Sequence, residues 1–212
     1  MPNKFDDVAV RVATKEDVPD LVSVLDRAFT DDDPFGEYMF PDETQRRRLQ
    51  PRLTRAMIRH QYLPSGGALV AIADGRIVGG ALWQTPSYRF GPLRYLASIP
   101  EFVWAMGSGG PRALAMDSTI AGLAKGLPHF FGVSLGVDPE HQRGGVGEAV
   151  LTYAIAEIER VGAPLLGLCK DGNVAYYRAR GAQRIGRIRI GRRGPEVNVI
   201  MWLPSSLAEI AE

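Results

Sequence analysis

Between Gly132 and Glu159 the chain reads GVSLGVDPEHQRGGVGEAVLTYAIAEIE. A run of strand-forming residues ends at Asp138-Pro139, and Gly144, Gly145 and Gly147 then open a helix over Gly145 to Val161. Val150, Leu151, Ala154, Ile155 and Ile158 place the apolar face of that helix at a period of 3.6. A strand that turns tightly into a helix exposes backbone N–H groups where the helix dipole adds partial positive charge. Such a turn suits a pyrophosphate and needs few cationic side chains. The glycines remove the Cβ atoms that would hold phosphate off the backbone, and Arg143 supplies a cation at the rim.

Three phosphate-binding patterns compete for this turn. The Walker pattern needs Gly-Lys-Ser/Thr, and no such lysine follows. The dinucleotide fingerprint needs a third glycine, which Gly145-Val146-Gly147-Glu148-Ala149-Val150 lacks, and it belongs near a first strand. The pattern Gln/Arg, two residues, Gly, one residue, Gly/Ala is met by Gln142, Gly145 and Gly147.

Bulk properties narrow the setting. The chain has 212 residues, enough for one well-buried core. Lys plus Arg number 25 against 24 Asp plus Glu, so neither nucleic acid nor a membrane surface is expected as the main partner. Cys169 is the single cysteine and fits a reducing compartment. The start, MPNKFDDVAV, carries no secretory pattern. The most apolar stretch, Leu93 to Met106, is broken by Arg94, Pro100 and Glu101 and is too short to span a bilayer. A cytoplasmic, single-domain protein over residues 1–212 is expected.

Along the chain, Val8 to Ala13 reads as a strand. Thr14 and Asp17 form a near capping box for a helix of Lys15 to Phe29. Thr30 to Asp42 reads as a loop, and Asp42 to Tyr62 as an Arg-rich helix with Arg46, Arg47 and Arg48 on its exposed face. Ala68 to Ala73 and Ile77 to Gln84 flank Asp74-Gly75, a hairpin signal. Pro92 to Lys125 is expected as two helices broken at Gly107 to Pro111. Phe130 to Val137 and Pro164 to Cys169 read as strands, the second a buried parallel neighbour. A short helix, Asn173 to Arg180, precedes a closing antiparallel pair, Ile185 to Ile190 and Val197 to Leu203.

With these segments in place, the sequence resembles the GNAT superfamily of N-acetyltransferases. The Gln142 to Gly147 pattern after a Val-x-Pro strand end looks like the superfamily's central motif. Asn173 to Ala182, with Tyr177 four residues before Gly181, looks like its second motif. VRVATKEDVPDLVSVLDRAF looks like its first strand and helix. In layout the chain is most similar to puromycin N-acetyltransferase and its relatives, but identity is too diffuse to carry that substrate over.

The resemblance implies an α/β (α+β) fold, a mixed, twisted sheet of about seven strands flanked by helices and splayed between strands 4 and 5. It implies acetyl-CoA as cosubstrate, no metal, and direct transfer to a small-molecule amine through a ternary complex. Main-chain groups of Leu135, Gly136 and Val137 would pair with the pantetheine arm. Arg143, Gly144, Gly145, Val146, Gly147 and Glu148 would hold the pyrophosphate behind Gln142, and Asn173 would bond the cofactor or nearby backbone. Tyr177 aligns with the tyrosine that protonates the departing thiolate, and Val137 N–H would meet the oxyanion. Dimers are common among relatives, so a homodimer is possible.

One departure stands out. Many relatives carry an acid on the fifth strand, where this chain reads Leu166-Gly167-Leu168-Cys169. The base is left to an acid between Asp31 and Glu37, a water chain or solvent. A weakly catalytic acyl-CoA sensor is therefore an alternative, and an oxidoreductase using the same glycines a more distant one. Tyr176 is read as packing, and Gln142 as a possible loop cap. Gly136 marks a bulge or a close backbone approach. Cys169 is read as a small buried hydrophobe, not an acyl carrier. His60, His129 and His141 lack metal-ligand spacing. Asp31, Asp32 and Asp33 are solvated or meet a cationic acceptor. Trp83, Tyr88 and Phe90 line the acceptor pocket or simply pack.

Overall fold

A computed structural model of the chain describes residues 8–30, 33–89, 91–123 and 126–208. Seven strands form one open mixed sheet in the order β1-β2-β3-β4-β5-β7-β6. β1 (Ala9–Val12), β2 (Ala68–Ala73), β3 (Arg76–Gln84) and β4 (Phe130–Val137) run antiparallel in sequence. β5 (Leu165–Cys169) lies parallel to β4, and β7 (Glu196–Trp202) inserts antiparallel between β5 and β6 (Gln183–Arg189). The β2–β3 turn places Asp74 and Gly75 at φ 52° and 71°, the left-handed pair that a two-residue hairpin requires.

Each face of the sheet is covered by helices. On β2, Leu69 and Ala71 pack with Val146, Val150, Ala154 and Ile158 of helix α6 (Val146–Val161). Ala68 and Val70 face the other way, toward Leu21, Val22 and Leu25 of α1 (Val18–Ala28). The period-2 alternation of one short strand thus feeds two separate cores. On the α1 side lie α2 (Pro34–Met39), α3 (Glu43–Met57), α4 (Pro92–Met106) and α5 (Gly110–Ala121). The last two are separated at Gly107–Gly109, where the sequence places its break. α7 (Asp171–Arg178) follows β5, and α8 (Ser205–Ala208) ends the described chain.

Several boundaries differ from expectation by a few residues, and two of the differences have clear local reasons. α1 starts at Val18, not Lys15, because the Asp17 carboxylate takes the Thr14 N–H at 2.6 Å and hydroxyl at 3.1 Å, closing a turn ahead of Pro19. The stretch read as a loop contains α2: Asp33 caps it by accepting from Phe35 N–H at 3.1 Å, and Pro34 supplies the first helical φ. Asp31 and Asp32 lie outside the described residues.

β4 and β5 pair only at Phe130–Leu165, Phe131–Leu166 and Gly132–Gly167. Beyond these three pairs the strands part, and the expected splay opens there.

Candidate active site

The gap exposes one edge of β4. Asp138 N–H donates to Val78 O at 2.9 Å, so the opposed pair 78/138 is hydrogen-bonded. Antiparallel ladders alternate, and the register sets Gly80 opposite Gly136 and Leu82 opposite Ser134. Gly136 and Ser134 therefore spend their N–H and C=O groups on β3. Leu135 and Val137 turn theirs toward the gap, where β5 has no residue opposite them. This strand edge has no neighbouring strand at the mouth of the cleft, and of its outward groups the Val137 C=O is taken by the Gln142 side chain.

Gly136 does not bulge. The irregularity falls between Leu82 and Trp83, which face Ser134 and Gly132 and leave Val133 as the extra residue. Gly136 instead admits helix α1, since a Cβ there would lie 2.8 Å from Leu25 Cδ2 and 2.9 Å from Ala28 Cβ.

The turn after β4 is held from both sides. Arg27, in the last turn of α1, donates to Asp138 Oδ2 through Nε at 2.9 Å and Nη2 at 2.5 Å. Burial alone would raise the Asp138 carboxyl, but Arg27 and the Glu140 N–H hold it below its ordinary value. Gln142 Nε2 donates to Val137 O at 3.3 Å, which makes its side chain a tether for the turn. Arg143 and Gly145 take φ of 63° and 88° while Gly144 between them does not, an alternation of handedness that turns neighbouring backbone N–H groups toward one concavity, as in an anion-binding nest. Ala149 N–H bonds Gly145 O at 2.9 Å and closes the first turn of α6. The amides of Val146, Gly147 and Glu148 are then its open first-turn donors. Gly147 has no Cβ to collide with Tyr176 Oη, which would stand 2.9 Å from one. Arg180 lies over the Tyr176 ring at 3.9 Å and reaches Glu148 at 3.3 Å. Tyr176 is thus part of a clasp beside the turn.

β5 and α7 form the opposite wall. Asn198, fully buried on β7, donates to Asp171 Oδ1 at 2.7 Å and to Cys169 O at 3.4 Å, fixing the strand-to-helix junction. The Cys169 thiol is pushed up to about 11 by burial, with Asp171 adding to it, the reverse of what a nucleophile needs. Tyr177 stands edge-on to Trp202 at 5.6 Å. Burial, then Cys169 and Tyr176, push its hydroxyl up to about 12. It stays a hydrogen-bond donor throughout the physiological range.

These walls enclose a cleft of about 980 Å³. Leu135, Gly136, Val137, Gln142, Arg143, Gly145, Gly147, Glu148, Asn173 and Tyr177 all line it. Gly144 and Val146 are buried beneath the turn. The cleft continues to the α1 side of the sheet, where Phe29, Met39, Leu53, Met57 and Phe131 make an apolar chamber with Asp33 in its wall. Trp83 is buried against Phe130 at 4.8 Å in the α6-side core, and neither it nor Tyr88 lines the cleft. Phe90 lies outside the described residues. No cluster of three metal-ligating side chains occurs among the described residues, and none of their helices is long and apolar enough to cross a membrane.

Sequence reasoning did not find Arg27, Asn198, Arg180, Ser134 or Gln50. Arg27 and Asp138 are 111 residues apart, and no linear pattern joins them.

Comparison with known proteins follows the same geometry. The profile described as Acetyltransferase (GNAT) family matches residues 25–182. Among solved structures, the chain is similar to one described as histone acetyltransferase HPA2 and related acetyltransferase, from Corynebacterium glutamicum. That match has 24% identity and a TM-score of 0.73 over 93% of this chain and 97% of the other. It is also similar to a Drosophila melanogaster polyamine N-acetyltransferase, at 17% identity and a TM-score of 0.61 over 93% and 100%. The Escherichia coli ribosomal-protein-S18-alanine N-acetyltransferase matches at 16% identity and a TM-score of 0.54 over 94% and 95%. With its parted parallel strands, its glycine turn and a family match over well more than half its length, the chain belongs to the GNAT acetyltransferase family and is an acetyl-transferring enzyme.

Proposed function

We propose that this enzyme moves the acetyl group of acetyl-CoA directly onto an amine of a small-molecule acceptor within a ternary complex. The observation that carries the reading is the continuity of the β4 edge that lacks a neighbouring strand, Leu135 and Val137, with the amide-rich turn at the start of α6. An extended pantetheine arm would add to that edge as a strand. Its pyrophosphate would meet the amides between Arg143 and Glu148. Asn173, which lines the same cleft, would bond the arm or its surroundings. Relatives described as polyamine and ribosomal-protein-alanine acetyltransferases share the fold and support an amine acceptor. The helices α4 and α5 before β4 support a layout like the puromycin N-acetyltransferase branch, without its substrate.

In this reading the acceptor amine first loses its ammonium proton to solvent; the neutral nitrogen attacks the thioester carbonyl, and Val137 N–H meets the developing oxyanion. As the C–S bond breaks, CoA leaves as thiolate while the nitrogen's next proton passes to solvent. Tyr177 faces the departing sulfur. Burial raises the Tyr177 hydroxyl to about 12, which keeps its proton in place to meet the departing sulfur. Tyr177 therefore stabilises the leaving sulfur through a hydrogen bond that strengthens as charge develops. Holding amine and thioester together supplies much of the rest, with effective molarities of about 10⁵ M or more.

Calorimetric titration with acetyl-CoA and with NAD, alongside CoA release across an amine panel, tests the reading. Acetyl-CoA binding with turnover of at least one amine is expected. Binding without any turnover would favour a sensor, and binding of NAD alone would overturn the reading.

A further inference from the structure

The chamber on the α1 side of the sheet is walled by α1, α2, α3, α5 and the start of β4. Among the described residues that line this half, Asp33 is the only one that ionises. Its carboxylate is half-buried at the start of α2. Oδ1 accepts from Phe35 N–H at 3.1 Å, and Oδ2 accepts from Gln50 Nε2 at 3.2 Å. Burial, the largest influence, raises the carboxyl above its ordinary value. The opposing influences are neutral donors: the Gly36 and Phe35 amides and Gln50. Glu37 adds like charge, and no described lysine or arginine is among the groups acting on Asp33.

A second oxygen lies beside it. Gln50 Oε1 is buried and accepts no hydrogen bond, and so is left unsatisfied. A methyl group on Gly36 would lie 2.5 Å from this oxygen and 2.6 Å from Asp33 Oδ2. Two acceptor oxygens therefore converge over one glycine, one charged and short of a cation, the other without a donor. The surrounding wall is hydrocarbon: Phe29, Met39, Leu53, Met57 and Phe131. A low-polarity chamber strengthens any charge-assisted hydrogen bond made inside it.

We infer that Asp33 and Gln50 select the acceptor, binding a protonated nitrogen carried on an apolar body, so that the substrate class is hydrocarbon-rich amines. The inference rests on the acetyl-transfer reading for its consequence, since the molecule held in the chamber would be the acetyl acceptor. Asp33 is a specificity residue here, and the amine's apolar part fills the space between α1, α3 and β4.

The test compares 2-phenylethylamine with its neutral analogue 2-phenylethanol, by calorimetry at pH 7 both with and without CoA present. Wild type should bind the amine more tightly than the alcohol. Asp33→Asn keeps an oxygen for the helix cap, while its NH2 replaces the oxygen that accepts from Gln50, so that Gln50 must turn its amide to accept instead. It should weaken amine binding about tenfold or more while moving alcohol binding about twofold at most. Gln50→Leu, which leaves Asp33 in place, should weaken amine binding by a smaller factor, about threefold, and serves as the readout should Asp33→Asn not fold. Equal affinity for amine and alcohol in wild type would overturn the inference. So would an amine preference that survives both substitutions, or no measurable binding of the amine. Acetyl-CoA is titrated into the same preparations. Failure to bind acetyl-CoA with the amine preference intact sinks the acetyl-transfer reading alone, and the opposite result sinks this inference alone.

Discussion

Arg27 at the end of α1 grips Asp138 at the end of β4 with two hydrogen bonds to one carboxylate oxygen, at 2.9 and 2.5 Å. The pair joins the helix that walls the apolar chamber to the turn that opens α6. Asp138 is buried while the Arg27 side chain is half exposed. Loss of the arginine therefore leaves a carboxylate in a poorly solvated place.

Arg27→Met is expected to lower stability by about 1–2 kcal/mol and to weaken acetyl-CoA binding severalfold by loosening the turn. Chemical denaturation and calorimetry measure the two effects. Unchanged acetyl-CoA affinity would confine Arg27 to a stabilising role.

Gly136 sits where α1 crosses β4, with Leu25 Cδ2 and Ala28 Cβ within 2.9 Å of the position its Cβ would take. Leu25 can rotate, but Ala28 moves only with its helix. Gly136→Ala should therefore destabilise by about 1–3 kcal/mol and displace the α1 wall of the apolar chamber. A melting temperature equal to wild type would mean that the helix yields freely.

Tyr177→Phe removes the proposed donor to the leaving sulfur while keeping the ring against Trp202. Turnover at saturating acetyl-CoA should fall by about 10- to 1000-fold, with cofactor affinity changed by about twofold or less. Because the hydroxyl is raised to about 12, its protonated form persists through the ordinary assay range. No loss of activity from this residue is expected below about pH 10. An unchanged rate would remove Tyr177 from the reaction.

Asp17 accepts two bonds from Arg11, at 2.6 and 2.9 Å, and closes the turn before α1. Its carboxyl is lowered to about 2, chiefly by the Arg11 hydrogen bonds and in spite of burial. A folded value below the unfolded one means that the stabilisation is fully present above about pH 4. It is lost as pH falls through the folded value near 2. Arg11 is about half exposed, so solvent screening limits the effect to roughly 1 kcal/mol. Asp17→Asn should narrow the stability gap between pH 6 and pH 3, as read by urea denaturation at each pH. An identical gap in both proteins would count against the pairing.

Local chemistry decided what was legible before the structure. Asp74-Gly75 specifies its hairpin because both residues tolerate left-handed φ. The periodic Val150, Leu151, Ala154 and Ile158 specify α6, and the glycines ahead of them specify its open start. Each of those signals lies within a few residues, where steric and hydrogen-bonding preferences act directly. α2 escaped because a six-residue helix has too little periodicity to outweigh the Asp, Pro and Gly around it.

Other features were decided by packing between distant segments. Arg27 meets Asp138, Asn198 ties Cys169 to Asp171, and Gly136 yields its space to α1. β4 parts from β5 just after Gly132, beside the extra residue Val133, at a register set by pairing with β3 and β5. Asp33 reads in sequence as one of three acids in a row; apolar walls from α1, α3 and β4 make its charge unusual. Burial and desolvation are collective properties of groups brought together by the fold, so they have no counterpart in the order of residues along the chain.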